Sequence, residues 1–377
     1  HTACRRQRQM CIRDRYGPVN DRVYRDVSSW YHFVWAVDAV NTIQRIWVNG
    51  VEETLSSSLN PPNYAYGMNK AGTDQGFGVA TWGGSPNLEG YLANIVHLDG
   101  QYLDESYFGE TKNGVWVPKE ITGLTFGTNG FHLDFANSSS VGNDISGNNN
   151  DYTPTGLAST DVVPDSPTNN FCTLNKTIVS GQKSSATYSE GNLQYTSTDA
   201  YDTAIGTIGV SSGKWYFETR LNSAGSQMVG LRASPHTQNT TFLGQTTANS
   251  GISYYRSNGN IYNEGSGQDT GFDPGSSGDI IQVAFDADNG YVWFGVNGTF
   301  YGTVDTSSNR FTLASYSSGE FIFPAFGYRD SMSINFGQDG TFRGQIAAGG
   351  NTDANGIGNF KHSVPSGYLA LCSANLP

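Results

Sequence analysis

Large apolar and polar residues alternate along most of the chain, in short runs that end at Gly, Asn or Pro. The clearest run is DIIQVAFDADNGYVWFGVNGTFYG (279–302), in which Asn-Gly pairs at 289–290 and 297–298 separate three alternating segments. Alternation puts successive side chains on opposite faces of a strand, and Asn-Gly between such segments is the strongest short-range signal of a hairpin. The run therefore predicts a three-stranded meander with two tight turns.

Similar alternation predicts strands in two regions that are separated by a polar stretch. No apolar pattern of helical period extends over ten residues, which argues against a fold built on long helices. Short antiparallel strands bury their apolar faces by packing one sheet on another. We therefore expect an all-β protein with two tandem antiparallel β-sandwich domains of jelly-roll type. The segments that carry this prediction are 30–38, 42–54, 76–84, 88–103, 114–118, 130–136, 212–221, 251–256 and 321–328.

The polar stretch, residues 137–170, consists almost entirely of turn-forming residues and contains few large apolar side chains. Such a composition is typical of a linker or of a long surface excursion. It divides the chain into a first predicted domain, residues 16–136, and a second, residues 171–377.

Composition supports the all-β prediction and excludes two classes of partner. Charged residues make up 14% of the 377 residues, and the chain contains 47 Gly, 21 Tyr and 20 Phe. Residues 1–15 carry five of the 21 basic residues and one of the 33 acidic residues, so the rest of the chain has a formal net charge of −16. We therefore expect no nucleic acid partner, since binding to phosphates requires positive charge. We also expect no membrane insertion, because no apolar run approaches the ~20 residues of a spanning helix.

The first fifteen residues, HTACRRQRQMCIRDR, differ in character from everything that follows. The eleven codons of residues 5–15 can be read from the read-one adapter of a widely used transposase-based sequencing library. Our interpretation is that residues 1–15 are translated adapter and form no domain. Cys4 and Cys11 then carry no information on redox state, and the natural protein, from an environmental sample, begins upstream of Tyr16.

Two sets of motifs resemble known families. Within 16–136, WYHFVWAVD, IWVNGVEE and GYLANIVHLDGQYLD followed by GVWVP resemble a laminin-G/concanavalin-A-like domain that has lost its first strands. Within 171–377, SGKWYFET, DIIQVAFDADNGYVWFGVNG, SINFGQ and VPSGYLALC resemble a SPRY domain. The tandem is similar to hypothetical proteins associated with phage tails. The resemblance implies two β-sandwich binding modules within a larger structural protein, although a fold does not by itself determine a function.

The function implied by the resemblance is a non-enzymatic binding or structural module in the virion. It is expected to be a phage tail or fibre component that contacts a host-surface glycan or protein, neighbouring virion proteins, or both. Two alternatives remain open: a secreted or cell-surface bacterial adhesin, and a purely architectural virion subunit.

Motifs that resemble catalytic sites have simpler explanations. GVSSG (209–213) matches Gly-x-Ser-x-Gly but precedes a strand, whereas a nucleophile elbow needs a helix after the serine. DADNG (286–290) is one residue short of a calcium loop and lacks its glutamate, so a type I′ hairpin turn is favoured. No Glu-x-Asp-x-x-Glu strand supplies the paired carboxylates of a glycosidase. We expect no enzyme and no catalytic residue.

Binding chemistry is expected on loops that carry Tyr, Trp and Arg, the residue types enriched at interfaces. The segment YYRSNGNIY (254–262) groups four such residues, and alternation predicts that one of its two adjacent tyrosines faces inward. Three aromatic residues play the same part in the first domain. The candidate ligand-binding residues are Tyr254, Tyr255, Arg256, Tyr262, Tyr64, Tyr66 and Trp82.

No resident cofactor is expected, and the sequence identifies no metal site. Calcium occurs in laminin-G-like domains, and Glu89, Asp99 and Asp104 are the weak candidates for its oxygen ligands. Cys172 and Cys372 lie at opposite ends of the second domain, where a sandwich can bring the two ends together. They are a candidate disulfide, which would close a long loop; two buried thiols are the alternative.

Overall fold

The chain divides into two units, each with its own sheets and its own buried clusters. The computed structural model describes residues 2–5 (backbone), 22, 24, 29–55, 76–77, 90–112, 114–176, 185–233, 242–245, 251–265, 267–314 and 316–377. Unit 1 comprises His1–Val162 with Ser166–Thr168, and unit 2 comprises Val163–Asp165 with Asn169–Pro377.

The described residues of unit 1 form one six-stranded antiparallel sheet and a separate hairpin. Its strands are β1 (Thr2–Arg5), β2 (Tyr31–Asp38), β3 (Ile43–Val48), β4 (Val51–Glu52), β5 (Leu92–His97), β6 (Gly109–Lys112), β7 (Val115–Pro118) and β8 (Phe131–Leu133), with short 3₁₀ turns at Glu105–Tyr107 and Ser159–Asp161. The sheet has the order β4-β3-β2-β1-β5-β8, and β6 pairs with β7. Alternation along β2 buries Val34 and Ala36 in a cluster with Trp47 and Val96.

The strand β1 lies inside this sheet, between β2 and β5. Thr2 is paired with Val34 on one side and with Val96 on the other, both in antiparallel register. These residues belong to the segment interpreted above as translated adapter. Their origin stays a prediction, while in the structure their backbone forms a central strand.

The turn between β3 and β4 has the geometry expected of Asn-Gly. Asn49 and Gly50 have φ angles of 51° and 75°, which is the pair of positive values that a type I′ turn requires. The side chain of Asn49 also accepts the backbone N–H of His32 at 2.8 Å. The turn therefore ties the hairpin to the neighbouring strand.

Part of the predicted linker is bonded to unit 1. The Asp144 carboxylate accepts the N–H of His132 at 2.8 Å, and the His132 carbonyl accepts the N–H of Ile145 at 2.9 Å. The Asn148 side chain donates to the Gly130 carbonyl at 2.8 Å. The chain passes between the units from Val162 to Asn169. The predicted domain boundaries stay predictions.

The described residues of unit 2 form two sheets. Its strands are β9 (Thr187–Ser189), β10 (Gln194–Ser197), β11 (Thr203–Ile205), β12 (Lys214–Leu221), β13 (Met228–Ala233), β14 (Gly251–Tyr255), β15 (Ile261–Asn263), β16 (Gly267–Gln268), β17 (Ile280–Asp286), β18 (Tyr291–Val296), β19 (Thr299–Phe300), β20 (Phe311–Thr312), β21 (Ile322–Gly327), β22 (Asp330–Asn335) and β23 (Leu369–Ala370). One sheet has the order β19-β18-β17-β12-β22-β10-β9, with β20 paired to β18 and β23 to β12; the other has the order β11-β21-β13-β14-β15-β16. All pairings are antiparallel except β12 with β23.

The core of unit 2 lies between these two sheets. Phe217 of β12, Leu231 of β13 and Phe326 of β21 are buried in one cluster, to which both sheets contribute. This is the arrangement that alternation along each strand predicts. Among the described residues there is no α-helix, and the all-β, antiparallel sandwich prediction is confirmed. None of the described residues forms a helix of the length and apolarity needed to cross a membrane.

The outward face of β12 carries a second buried layer. The Glu218 carboxylate, 0% exposed, accepts the N–H groups of Lys361 at 2.9 Å and His362 at 2.8 Å. It also accepts the hydroxyl of Tyr216 at 2.9 Å and the side-chain amide of Asn335 at 3.4 Å. Burial raises the pKa of Glu218. This carboxylate therefore fastens the C-terminal segment to the sheet.

The three-stranded meander β17-β18-β19 is present, but its two turns differ. Asn297 and Gly298 have φ angles of 50° and 90° and form the expected type I′ turn. At the other turn only Gly290 has a positive φ, 68°, and Asp286 pairs with Tyr291, so the loop has four residues. The prediction of a type I′ turn at 289–290 is therefore wrong. The Asp286 carboxylate stabilises the longer loop by accepting the N–H of Asp288 at 2.9 Å.

Candidate functional site

The two catalytic-looking motifs have structural roles. Val210 forms a β-bridge with Ile322, and the strand β12 begins at Lys214, directly after GVSSG. A nucleophile elbow requires a helix at this point. In DADNG the oxygens of Asp286 are occupied by the turn that it stabilises.

The calcium candidates that the structure describes are used in internal bonds. One Asp99 oxygen accepts both the N–H of Asn129, at 3.2 Å, and its side-chain amide, at 2.8 Å. Asp104 caps a 3₁₀ turn by accepting the N–H of Ser106 at 3.0 Å. Glu89 lies outside the described residues. Within the described ranges, no three or more His, Cys, Asp or Glu side chains are grouped as a metal ion would require.

The two cysteines of unit 2 lie on paired backbone segments but do not form the candidate disulfide. Phe171 pairs with Cys372, and the Cys172 N–H donates to the Leu371 carbonyl at 2.8 Å. The ends of the domain therefore meet as expected. Both cysteines are buried thiols, and their side chains belong to different buried clusters. Because strand side chains alternate, the two sulfurs lie on opposite sides of the backbone.

The aromatic candidates of the first domain, Tyr64, Tyr66 and Trp82, lie outside the described residues.

Two of the four candidates in 254–262 are held by internal bonds. Tyr254 is 0% exposed and belongs to the sandwich core, where its hydroxyl donates to the Asp273 carbonyl at 2.6 Å. It is the inward-facing tyrosine of the adjacent pair. The guanidinium of Arg256 donates to the Gly225 carbonyl at 2.8 Å. Tyr254 is therefore a core residue, and Arg256 ties two loops together.

The other two candidates, Tyr255 and Tyr262, lie together on the outer face of the second sheet with two rings that the sequence analysis did not single out. Tyr255 contacts Tyr262 and Tyr328 with ring centroids 5.7 Å apart in each case. Phe242 contacts Tyr262 at 5.2 Å and Tyr328 at 5.7 Å. The four rings thus form a closed cycle of edge-to-face contacts, the arrangement that aromatic quadrupoles favour. All four are half-buried.

The cycle rests on buried apolar residues and is bordered by an exposed tyrosine. Met228, Leu243 and Ala325 are buried beneath it. Tyr201 is 47% exposed and directly precedes Asp202, whose carbonyl accepts the N–H of Tyr328. We refer to Tyr201, Phe242, Tyr255, Tyr262 and Tyr328 as the aromatic patch.

The backbone at Tyr328 is held in an unusual conformation. Its φ is 70°, which is rare for a bulky residue. The hydroxyl of buried Tyr195 donates to the Tyr328 carbonyl at 3.1 Å, and the Tyr328 N–H donates to the Asp202 carbonyl, also at 3.1 Å. These bonds fix the turn between β21 and β22 and, with it, the Tyr328 ring.

The patch carries a protonated hydroxyl group and has a positive charge at its edge. Burial raises the pKa of Tyr328, so its hydroxyl stays protonated at neutral pH. The exposed Arg329 guanidinium lies 6.0 Å from the centroid of the Tyr328 ring, at the outer range of a cation–π contact. The patch therefore offers aromatic faces, hydroxyl groups and one exposed positive charge at its edge.

Sequence reasoning missed Phe242, Tyr328 and Tyr201 because they come from separate segments. The strand register brings the segments of Tyr255 and Tyr328 together, because Met228 pairs with Tyr255 on one side and with Gly327 on the other. The signal available in the sequence was FIFPAFGYRD, a strand that ends in Tyr and Arg at a turn.

Comparison with known proteins finds a family match within unit 2. Residues 214–339 match the family model of the SPRY domain. Solved structures that match the chain include the SPRY domain of human HERC1, with 16% sequence identity and a TM-score of 0.34 over 43% of this chain and 96% of that chain. No curated protein matches the chain. The laminin-G-like resemblance of the first region stays a prediction. The SPRY match runs from the start of β12 to just beyond β22 and includes four of the five residues of the aromatic patch.

Proposed function

We propose that this protein is a non-enzymatic protein-binding module that contacts its partner through the aromatic patch of unit 2. The observation that carries the proposal is the closed cycle of Phe242, Tyr255, Tyr262 and Tyr328, which is half-buried on the outer face of a sheet. Five of the six described strands of that sheet lie within the SPRY match. SPRY domains are generally protein-interaction modules, which supports a protein as the ligand.

The chemistry of the patch favours a protein partner. Tyrosine and arginine dominate the binding energy of many interfaces, because a rigid ring buries a large apolar area at little entropic cost. Here the rings are already held by one another and by the buried residues beneath them. A partner would therefore bind a preorganised surface and lose less free energy in ordering it.

The proposal is tested at two exposed residues, Tyr201 of the aromatic patch and Arg329 at its edge, so that the fold is not disturbed. We expect the double variant Tyr201→Ala/Arg329→Ala to lose at least about tenfold in affinity for a protein captured by the wild-type chain, since interface tyrosines and arginines are frequent hot spots. Tyr107→Ala is the matched control, because Tyr107 is 51% exposed in unit 1. Equal affinity of the double variant and the control would refute the role of the patch.

We further propose that the partner is a host-surface or virion protein and that this chain is a component of a phage tail or fibre. The support is the resemblance of the tandem to tail-associated proteins and the acidic, lysine-poor composition. Neighbouring terminase and capsid genes on the parent contig are expected. Host metabolic genes in their place would favour a bacterial adhesin, and glycan-array binding that resists the patch substitutions would favour a glycan ligand elsewhere. Interaction with virion neighbours alone would favour an architectural subunit.

A further inference from the structure

One buried cation in unit 2 lacks a complement. Arg232, on β13, is 0% exposed, and in the part of the chain that the structure describes none of its three side-chain nitrogens has a hydrogen-bond partner. Burial lowers its pKa to about 10, so the guanidinium still carries its charge at neutral pH. A buried ion without a counter-charge is strongly unfavourable, and an orphaned buried polar group in a folded protein calls for a ligand or an ion.

The buried carboxylates of the same unit show the contrast. Glu218 accepts hydrogen bonds from four donors. Asp202 accepts the hydroxyl of Ser197 at 2.6 Å, and Asp353 accepts the backbone N–H of Ala370 at 2.9 Å. These acids are satisfied by the chain itself. The unsatisfied state of Arg232 is therefore not a general property of how this unit buries charge.

The strand pattern places Arg232 on the same face as the aromatic patch. Val229 and Leu231 belong to the sandwich core, so Met228 and Arg232 face the other side of the sheet. Met228 lies beneath the patch, and at ~3.3 Å per residue Arg232 is about 13 Å further along the strand. Ser253, on the neighbouring strand, donates to the Leu243 carbonyl at 2.9 Å. Residues 242–245, which include the patch ring Phe242, therefore lie on this face.

The charge at this position favours a monoanion. The residues paired with Arg232 in the sheet are Gly251 and Phe323, and neither carries a charge. One guanidinium neutralises one carboxylate, with which it can form two parallel hydrogen bonds. A dianionic phosphate would leave a second negative charge uncompensated in the same buried position.

We propose that Arg232 binds a small carboxylate anion, enclosed on the face of the sheet that carries the aromatic patch. Because Arg232 is 0% exposed, a partner docked on the patch does not contact it, and this inference goes beyond the proposed protein-binding function without resting on it. The buried guanidinium is selective, because a buried donor group rejects ligands that leave it unpaired.

The test uses the full chain and a small carboxylate as the probe. Sodium acetate is titrated at constant ionic strength against sodium chloride, and sodium phosphate is titrated in a second arm. The readouts are the Nε–Hε resonances of the arginine side chains and the melting temperature. We expect acetate to shift one Nε–Hε resonance saturably and to raise the melting temperature, and we expect both effects to be absent in Arg232→Met. Arg310→Met is the matched control, because Arg310 is exposed over the Tyr291 ring at 3.8 Å.

The two variants also separate binding from folding. Without ligand, Arg232→Met should melt at the same temperature or about 2–4 °C higher, because a buried unpaired charge is replaced by an apolar chain of similar length. Arg232→Lys keeps the charge but loses the planar fork, so its response to acetate should be weaker than that of the wild type. This second variant serves if Arg232→Met does not fold.

Three results would overturn the inference: no response to acetate, an unchanged response in Arg232→Met, or a response to phosphate alone. The measurement needs no partner, so its failure leaves the protein-binding proposal intact. Conversely, equal affinity of the Tyr201→Ala/Arg329→Ala variant and its control would refute the role of the patch and would leave acetate binding at Arg232 unaffected.

Discussion

The two units are both built from antiparallel strands, yet they bury their apolar residues differently. In unit 2, two sheets close over one cluster, in which Phe217, Phe285 and Phe326 are all 0% exposed. In the described part of unit 1, one six-stranded sheet carries two smaller clusters, around Trp47 and Phe131. A core shared by two sheets holds the turns at their edges in fixed positions. Unit 2 can therefore present a preorganised surface. In unit 1, the stability of the sheet depends more on each individual strand.

Deleting residues 1–15 tests this dependence most severely. The deletion removes β1, which pairs with β2 and β5 along the middle of the sheet. We expect the amides of both neighbouring strands to lose their protection from hydrogen exchange, because they lose their hydrogen-bond partners. The amides of unit 2 should be unaffected. Unchanged protection in β2 and β5 would contradict a structural role for β1 and would favour the adapter interpretation.

Phe217→Ala tests the shared core of unit 2. Phe217 is fully buried and contacts Phe326 and Phe336 at ring-centroid distances of 5.6 and 5.7 Å. We expect the free energy of unfolding of unit 2 to fall by about 3–5 kcal/mol in urea titrations, the cost of a cavity of this size. Phe321→Ala is the control, because Phe321 is 55% exposed; its effect should stay within about 0.5 kcal/mol. A similar loss in both variants would show that burial does not distinguish the two sites.

Lowering the pH tests a buried histidine of unit 1. Trp116 donates to Nδ1 of His32 at 2.8 Å, and burial lowers the pKa of His32 to about 4. The unfolded chain takes up a proton near pH 6.5 and the folded chain does not, so unit 1 loses stability as the pH falls from about 6.5 to about 4. We expect this residue to lower the free energy of unfolding of unit 1 by roughly 3 kcal/mol over this pH range.

The control is His32→Gln, which cannot take up a proton in this range and should remove that part of the pH dependence. The pH dependence is measured by urea titrations at pH 7 and pH 4, with hydrogen exchange of the β2 amides as the readout. An equal pH dependence in the variant would assign the effect to other groups.

Glu218→Gln tests the carboxylate that fastens the C-terminal segment. An amide offers one acceptor oxygen and turns its own donors toward backbone N–H groups that the carboxylate now accepts. We expect a loss of about 2 kcal/mol in unit 2, with increased hydrogen exchange at Lys361 and His362. Glu190→Gln, at a pair 3.6 Å from Arg343 with half its side chain exposed, should cost less than about 1 kcal/mol. Equal effects would mean that the Glu218 bonds contribute nothing specific.

Local features of this fold could be predicted from the sequence, because alternation and Asn-Gly turns act over a few residues. The meander β17-β18-β19 and the turns at Asn49-Gly50 and Asn297-Gly298 followed from such signals. The four-residue loop at 287–290 did not, because the Asp286 carboxylate stabilises it from outside the Asn-Gly pair.

The candidate site was predictable only in part, because it depends on register between distant segments. Tyr255 and Tyr262 were found from their shared hairpin, whereas Phe242 and Tyr328 reach them only through the packing on the second sheet. The burial of Arg232 had no sequence signal either. An arginine at an outward position of a strand ordinarily faces solvent, whereas Arg232 is fully buried at such a position.

The central claim is that unit 2 binds a protein through the aromatic patch. Hydrogen–deuterium exchange of the full chain, with and without the protein captured by the wild type, tests it most directly. We predict new protection at 242–245, 254–263 and 327–330, with no change in unit 1. Protection confined to unit 1, or to the sheet that contains β12 and β17, would contradict the claim.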